Sequence, residues 1–508
     1  MGDKESAADV IQKASTAVVV APMPAAVAKA IAGGAGGEGT AAHEPPKLAT
    51  TEKTWTIGGR AVVVKTEAGA LPIATGDDEK KATADVFFVS YTEVGADPAQ
   101  RPVMFCFNGG PGSSSVWLHL GAFGPRRVDF DGVAVPRPPF RLTDNAHSLL
   151  DLADLVFIDP VSTGYSRAKG EAKPFHGVEA DIESVGEFIR LWVTRHGRWS
   201  SAKYLAGESY GTTRAAGLVG WLQSRHGMYF NGLVLVSCAL QFQAICYDDG
   251  NDLPYVLGLP SFAATAWYHG RLEGWDSLDV LLAEVEAWAI DVYAPALLRG
   301  HRLPSEVRAG VVGRLAAYTG LSREFVERNN LRIGLHRFCK ELLRARGESV
   351  GRLDSRFRGP EGHPSGEVLA ADPSLTGIYG AFAASFNHYV HAELEYDDER
   401  TYEILSRKVR PWKFDGGDNK YLDHTELLRE AMDQNPHLQV LAGSGIYDLA
   451  TPYFGADYTF SHLGPRGDLA QRVRVRRYGG GHMMYLDLCE LAALKADIAA
   501  LIHETSSD

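Results

Sequence analysis

The run Gly207-Glu208-Ser209-Tyr210-Gly211 reads G-x-S-x-G. Small apolar residues (Tyr204 to Ala206) precede it, and Arg214, Ala215, Ala216, Leu218, Val219 and Leu222 follow at helical spacing. Glycines on both sides of a serine let the backbone turn sharply between a strand and a helix, which stands the hydroxyl out at the sheet's edge. A serine hydroxyl is a weak nucleophile until a base takes its proton, and the base needs an acid to hold its tautomer. Two later loops hold those residue types. Asp448 lies in the Gly-rich bend from Gly443 to Pro452, and His482 follows three glycines, Gly479 to Gly481. Ser209, Asp448 and His482 are therefore the candidate catalytic residues, and the chemistry is acyl transfer through an acyl-enzyme. The tetrahedral oxyanion then needs donors. The Tyr210 N–H, at the helix start, is one candidate. The Gly110 N–H, in the loop Asn108-Gly109-Gly110-Pro111-Gly112, is the other. That loop does not read as a phosphate cradle, because no Gly-Lys-Ser/Thr follows it. With no H-E-x-x-H and no clustered ligands, neither a metal nor a cofactor is expected.

These residues can meet only if the strands before them end on a common edge. Trp55 to Lys65 and Ala84 to Thr92 read as strands, as do the buried-type runs Arg101 to Phe107, Asp154 to Ile158 and Gly232 to Leu240. Val178, Ile182, Val185, Phe188, Ile189 and Trp192 repeat at helical spacing ahead of the nucleophile strand. Strands alternating with helices imply a mostly parallel sheet. After Leu240 the rhythm becomes helical (Leu278 to Tyr293, Ser305 to Tyr318, Arg323 to Arg346), and strands resume at Leu438 to Ala442 and Val473 to Tyr478. A final helix follows over roughly Leu486 to His503. The order Ser209, Asp448, His482, each after its own strand, is that of α/β-hydrolases. The expected organisation is a disordered tail over 1–50, a first part of an α/β-hydrolase core over 51–240, an inserted helical cap over 241–417 and the rest of the core over 418–508.

Composition narrows the partners. With 45% hydrophobic and 22% charged residues the chain has ample material for a core, and its net charge of −12 disfavours nucleic acid and anionic membranes. No stretch reads as a membrane span; the mildly apolar Ala17 to Ala28 is broken by Pro22 and Pro24. Acidic Asp3, Glu5 and Asp9 make a poor secretory leader. The five cysteines are sparse and irregularly spaced, so they read as small core residues, not a disulfide framework. Both observations lean towards the cytoplasm, with a periplasmic or secreted location as the alternative.

Taken together, Asn108-Gly-Gly-Pro-Gly, Asp159-Pro-x-x-Thr-Gly-Tyr-Ser166, Gly207-Glu-Ser-Tyr-Gly, the Asp448 loop and Gly481-His482 resemble the serine carboxypeptidase family. The resemblance implies that Asn108, Gly109 and Glu208 bind a substrate's C-terminal carboxylate. It further implies a peptide with a free C-terminus as substrate, cut one residue at a time. Two departures stand out: Ser113 occupies a usual Cys position, and Ala122-Phe123 precede Gly124-Pro125 where many members carry a second Glu. The alternative within enzymes is an esterase or acyltransferase, since the acceptor decides the fate of an acyl-enzyme. A catalytically inactive binding protein of the same fold is the alternative outside enzymes.

Overall fold

Strands covered on both faces need apolar side chains at every position, without polar alternation. Five runs in the middle of the chain meet that demand. In the computed structural model, which describes residues 48–76, 81–414, 420–464 and 467–506, they form the centre of one large sheet. Its strands are β1 (Leu48–Ile57), β2 (Arg60–Ile73), β3 (Ala84–Glu93), β4 (Val103–Phe107), β5 (Asp154–Ile158), β6 (Lys203–Glu208), β7 (Gly232–Val236), β8 (Gln439–Gly445) and β9 (Val473–Tyr478). Their spatial order is β1-β2-β3-β5-β4-β6-β7-β8-β9, with the short strand Arg167–Ala168 paired beside β3. The first three strands are antiparallel, and β3 meets β5 antiparallel as well. From β5 onward every pair is parallel. The disordered tail expected over 1–50 lies outside the described residues as far as residue 47, and its last three positions, Leu48 to Thr50, belong instead to β1, paired with β2.

Register does the positioning. Phe107 pairs with Gly207, Val236 with both Glu208 and Gly443, and Gly445 with Tyr478. Strands β4, β6, β7, β8 and β9 therefore end almost level, and the loops that follow all open on one edge of the sheet.

Helices cover both faces. α1 (Val178–Arg195) and α2 (Tyr210–His226) pack together on one face, where a Cβ at Gly217 would lie 2.3 Å from Ile182 and one at Gly186 would lie 2.5 Å from Trp221. Between β7 and β8 the chain is mostly helical. It includes α3 (Leu253–Tyr268), α4 (Leu278–Trp288), α5 (Ser305–Thr319) and α6 (Pro373–His388), which share a separate apolar cluster or lean on the sheet. The helical run expected over Arg323 to Arg346 is broken in two. Asn330 and Leu331 take φ of 50° and 66°, a left-handed conformation that ends a helix. A two-stranded ribbon, Glu348–Val350 with Arg358–Pro360, also interrupts this region. α7 (Thr425–Gln434) and α8 (Leu488–Ser506) complete the layers. Among the described residues no helix is long and apolar enough to cross a membrane.

Candidate active site

Ser209 sits at the junction of β6 and α2 with φ 60° and ψ −130°, a conformation that non-glycine residues adopt only where the surroundings enforce it. The surroundings do enforce it. A Cβ at Gly207 would lie 2.2 Å from the Gly211 carbonyl oxygen, and one at Gly211 would lie 2.9 Å from that of Phe107. Both flanking positions therefore exclude any side chain. The glycine loop after β4 is pressed against this turn, since a Cβ at Gly109 would lie 2.4 Å from the Tyr210 nitrogen.

His482 Nδ1 is 2.7 Å from Asp448 Oδ2. Asp448 is fully buried and further held by the Thr451 hydroxyl at 2.6 Å and by the N–H groups of Ala450 and Thr451 at 2.8 and 3.0 Å. The His482 backbone is pinned on both sides: its N–H donates to Leu353 O (2.6 Å) and its carbonyl accepts from Ser237 Oγ (2.6 Å). Burial works against a charged ring, but the Asp448 carboxylate and its hydrogen bond outweigh it. With Glu208 adding and Arg352 opposing, the imidazole titrates above its ordinary value. Ser209 and His482 line one cavity; no hydrogen bond joins their side chains, a common state before substrate arrives.

The other expected residues converge on the same cavity, which Asn108, Gly109, Gly110, Glu208 and Tyr210 also line. Among the described residues, no hydrogen bond takes the N–H of Gly109, Gly110 or Tyr210. Asn108 is 1% exposed, and its Oδ1 accepts from the Leu118 N–H at 3.1 Å. Its Nδ2 is buried and meets no acceptor at hydrogen-bonding geometry among the described residues. Glu208 is buried too, and Tyr485 donates to its Oε2 at 2.5 Å. Burial lifts the Glu208 carboxyl to about 7, with Asp448 adding and with His482, Tyr485 and the nearby Asn108 amide opposing.

Four functional neighbours escape the sequence motifs. Arg214 and Asp181 form a fully buried ion pair (Nε to Oδ2, 2.8 Å) beneath the serine turn. Arg214 also donates to the Asn108 carbonyl at 2.7 Å, and Asp181 accepts from the Tyr210 hydroxyl at 3.2 Å. The pair thus ties the glycine loop to both helices. An arginine among the small and apolar residues of the first half of α2 is the signal that points to it. Arg352, in the mainly helical region, and Tyr485, three residues past His482, reach the site only through tertiary packing and leave no sequence trace.

Comparison with known proteins agrees with this architecture. The family described as serine carboxypeptidase matches residues 61–225, which hold the glycine loop and the serine turn. Serine carboxypeptidase-like 8 of Arabidopsis thaliana is 27% identical over 140 residues, 27% of this chain and 31% of that protein. A carboxypeptidase Y homolog of Arthroderma benhamiae is 32% identical over 135 residues, 26% of this chain and 25% of that one. The matches thus span about a third or less of these curated relatives. Among solved structures, a prohormone-processing carboxypeptidase from Saccharomyces cerevisiae superposes with a TM-score of 0.52 at 16% identity, covering 87% of this chain and 91% of that one. The expected cytoplasmic location is corrected by these relatives, serine carboxypeptidases of which one processes prohormones. The cysteine signal misled for a physical reason: Cys106, Cys238, Cys246 and Cys339 are buried thiols, which pack as small apolar groups and do not report a redox compartment. In fold this chain is an α/β-hydrolase, and its residues 61–225, which carry the glycine loop and the serine turn, match the serine carboxypeptidase family.

Proposed function

We propose that this chain is a serine carboxypeptidase that removes the C-terminal residue of peptides through an acyl-enzyme. One observation carries the reading. The cavity that holds Ser209 and His482 also presents the buried Asn108 Nδ2, which meets no acceptor at hydrogen-bonding geometry among the described residues, and the buried Glu208, both suited to a carboxylate. A buried donor without a partner costs roughly 1–3 kcal/mol, a cost that a bound acceptor oxygen removes.

In this reading His482 Nε2 takes the proton of Ser209 as the hydroxyl attacks the last peptide carbonyl, and Asp448 steadies the imidazolium. The N–H groups of Gly110 and Tyr210 receive the oxyanion, and His482 then protonates the leaving amine. Water repeats the sequence to release the shortened peptide. Asn108 Nδ2, the Gly109 N–H and protonated Glu208 hold the terminal carboxylate, so that only the last peptide bond lies over Ser209. Two carboxylates in contact repel unless one carries a proton. A Glu208 that titrates near 7 carries one below neutrality.

A panel of blocked dipeptides with free or amidated C-termini tests the proposal. At pH 5 to 6, free-acid dipeptides are expected to be cut with kcat/KM at least tenfold above their amidated counterparts. Equal rates, or turnover confined to esters, would replace this reading with the esterase one.

A further inference from the structure

The glutamate expected to meet the substrate carboxylate does not stand alone. Tyr485 is fully buried, and its hydroxyl donates to Glu208 Oε2 at 2.5 Å. Room for its ring exists because residue 121 has no side chain: a Cβ there would lie 2.7 Å from Tyr485 Cε2. The short turn His119–Phe123, which carries Gly121, brings no second carboxyl to Glu208, and its only titratable group, His119, is bonded instead to Tyr91 at 2.6 Å. The groups facing Glu208 are therefore few. They are His482 and Asp448 from the loops after β9 and β8, Tyr485, and the neutral Asn108 amide. Arg352 lines the same cavity and acts on His482.

A phenol so buried keeps its proton far above neutrality, since burial and the neighbouring carboxyl both disfavour a phenolate. It is thus a permanent donor to Oε2. Whichever way Glu208 titrates, Oε2 stays an acceptor, and the exchangeable proton belongs on Oε1, the oxygen that Tyr485 does not hold. A carboxyl with that proton donates to a terminal carboxylate. Without it, the same oxygen only accepts.

We propose that Tyr485 is a positioning residue: it directs the proton of Glu208 to the oxygen that meets substrate, and it sets the upper pH limit for free-acid peptides. The proposal rests on the reading of Glu208 as the carboxylate contact. A hydrogen bond to a carboxylate favours the charged form, so Tyr485 holds the Glu208 titration lower than burial alone would leave it.

Tyr485→Phe removes one oxygen and keeps the ring against Gly121. The Glu208 midpoint should then rise by roughly one pH unit or more. At pH 8 the free-acid KM should be roughly fivefold lower than in wild type, with the amidated-substrate KM unchanged. A merely structural role for Tyr485 would move both substrates alike. A 3-fluorotyrosine inserted at position 485 is the opposite perturbation: a stronger donor, it should lower the midpoint. Infrared difference titration of the ligand-free protein, with Glu208→Gln as the subtraction, reads that midpoint without any substrate. Free-acid KM profiles that rise with pH and superimpose in wild type and Tyr485→Phe would overturn the Tyr485 role and leave the Glu208 reading standing. Coincident free-acid and amidated profiles in wild type would overturn the Glu208 reading and this proposal with it. An infrared midpoint unmoved in both position-485 variants would overturn the proposal on its own.

Discussion

Ser209→Ala and His482→Ala each lower kcat by on the order of 10⁴ to 10⁶, and the double variant loses little more than either single one. Removing the hydroxyl removes the atom that forms the acyl-enzyme. Removing the imidazole leaves that hydroxyl un-ionised in a buried site. Because each group is useless without the other, their losses do not add. The fold should survive both changes. Ser209 is held by its backbone, through its N–H to Val236 O at 2.9 Å and through its carbonyl, and its hydroxyl makes no hydrogen bond among the described residues. Single-turnover kinetics with thermal unfolding as the control checks this. Losses that multiply in the double variant would show that the two side chains act independently, and substantial turnover by Ser209→Ala would remove the acyl-enzyme mechanism.

Gly110→Ala is expected to lower kcat by on the order of 10² to 10³, the loss that follows removal of one oxyanion donor. Gly110 has φ 106°, which only glycine adopts without strain. An added Cβ would lie 2.8 Å from the nitrogens of both Gly112 and Ser113, so the loop must move and its N–H must swing away. In the proposed reading substrate affinity rests mainly on Asn108 and Glu208, whose side chains the substitution leaves in place. The expected signature is therefore a fall in kcat with KM nearly constant. A change confined to KM would assign the loop to substrate binding alone.

How far the site could be read from the sequence follows from what each part depends on. Gly207, Gly211 and Gly109 were legible because close backbone approach leaves no choice of residue there. Asp448 and His482 were legible because each follows its own strand in a glycine-rich loop, and parallel strands in register bring such loops to one edge. The Arg214–Asp181 pair was not, since it joins two helices 33 positions apart and depends on how they pack. Ser237, which pins the His482 carbonyl, takes φ 53°, a conformation that its residue type does not announce. Tyr485 reads as an aromatic just ahead of the last helix, and only the space above Gly121 turns its hydroxyl towards Glu208. The same limit applies to the stretch between β7 and β8. Its helical periodicity was plain, but the break at Asn330 and Leu331 and the ribbon after it are tertiary outcomes.

The central claim is that Glu208 receives a substrate carboxylate and does so only when protonated. KM measured against pH from 5 to 9, for one peptide as free acid and as amide, tests it most directly. Burial raises the Glu208 titration to about 7. Below that pH the proton is present and free-acid KM should be low and flat; above it the proton is lost and KM should climb, approaching tenfold per pH unit. The amide should show no such climb. Its rate should fall only on the acid side, where His482, titrating above its ordinary value, becomes protonated and cannot act as base. Glu208→Gln keeps a donor and removes the titration, so its free-acid profile should be flat. Free-acid and amide profiles that rise and fall together in the wild-type protein would contradict the account.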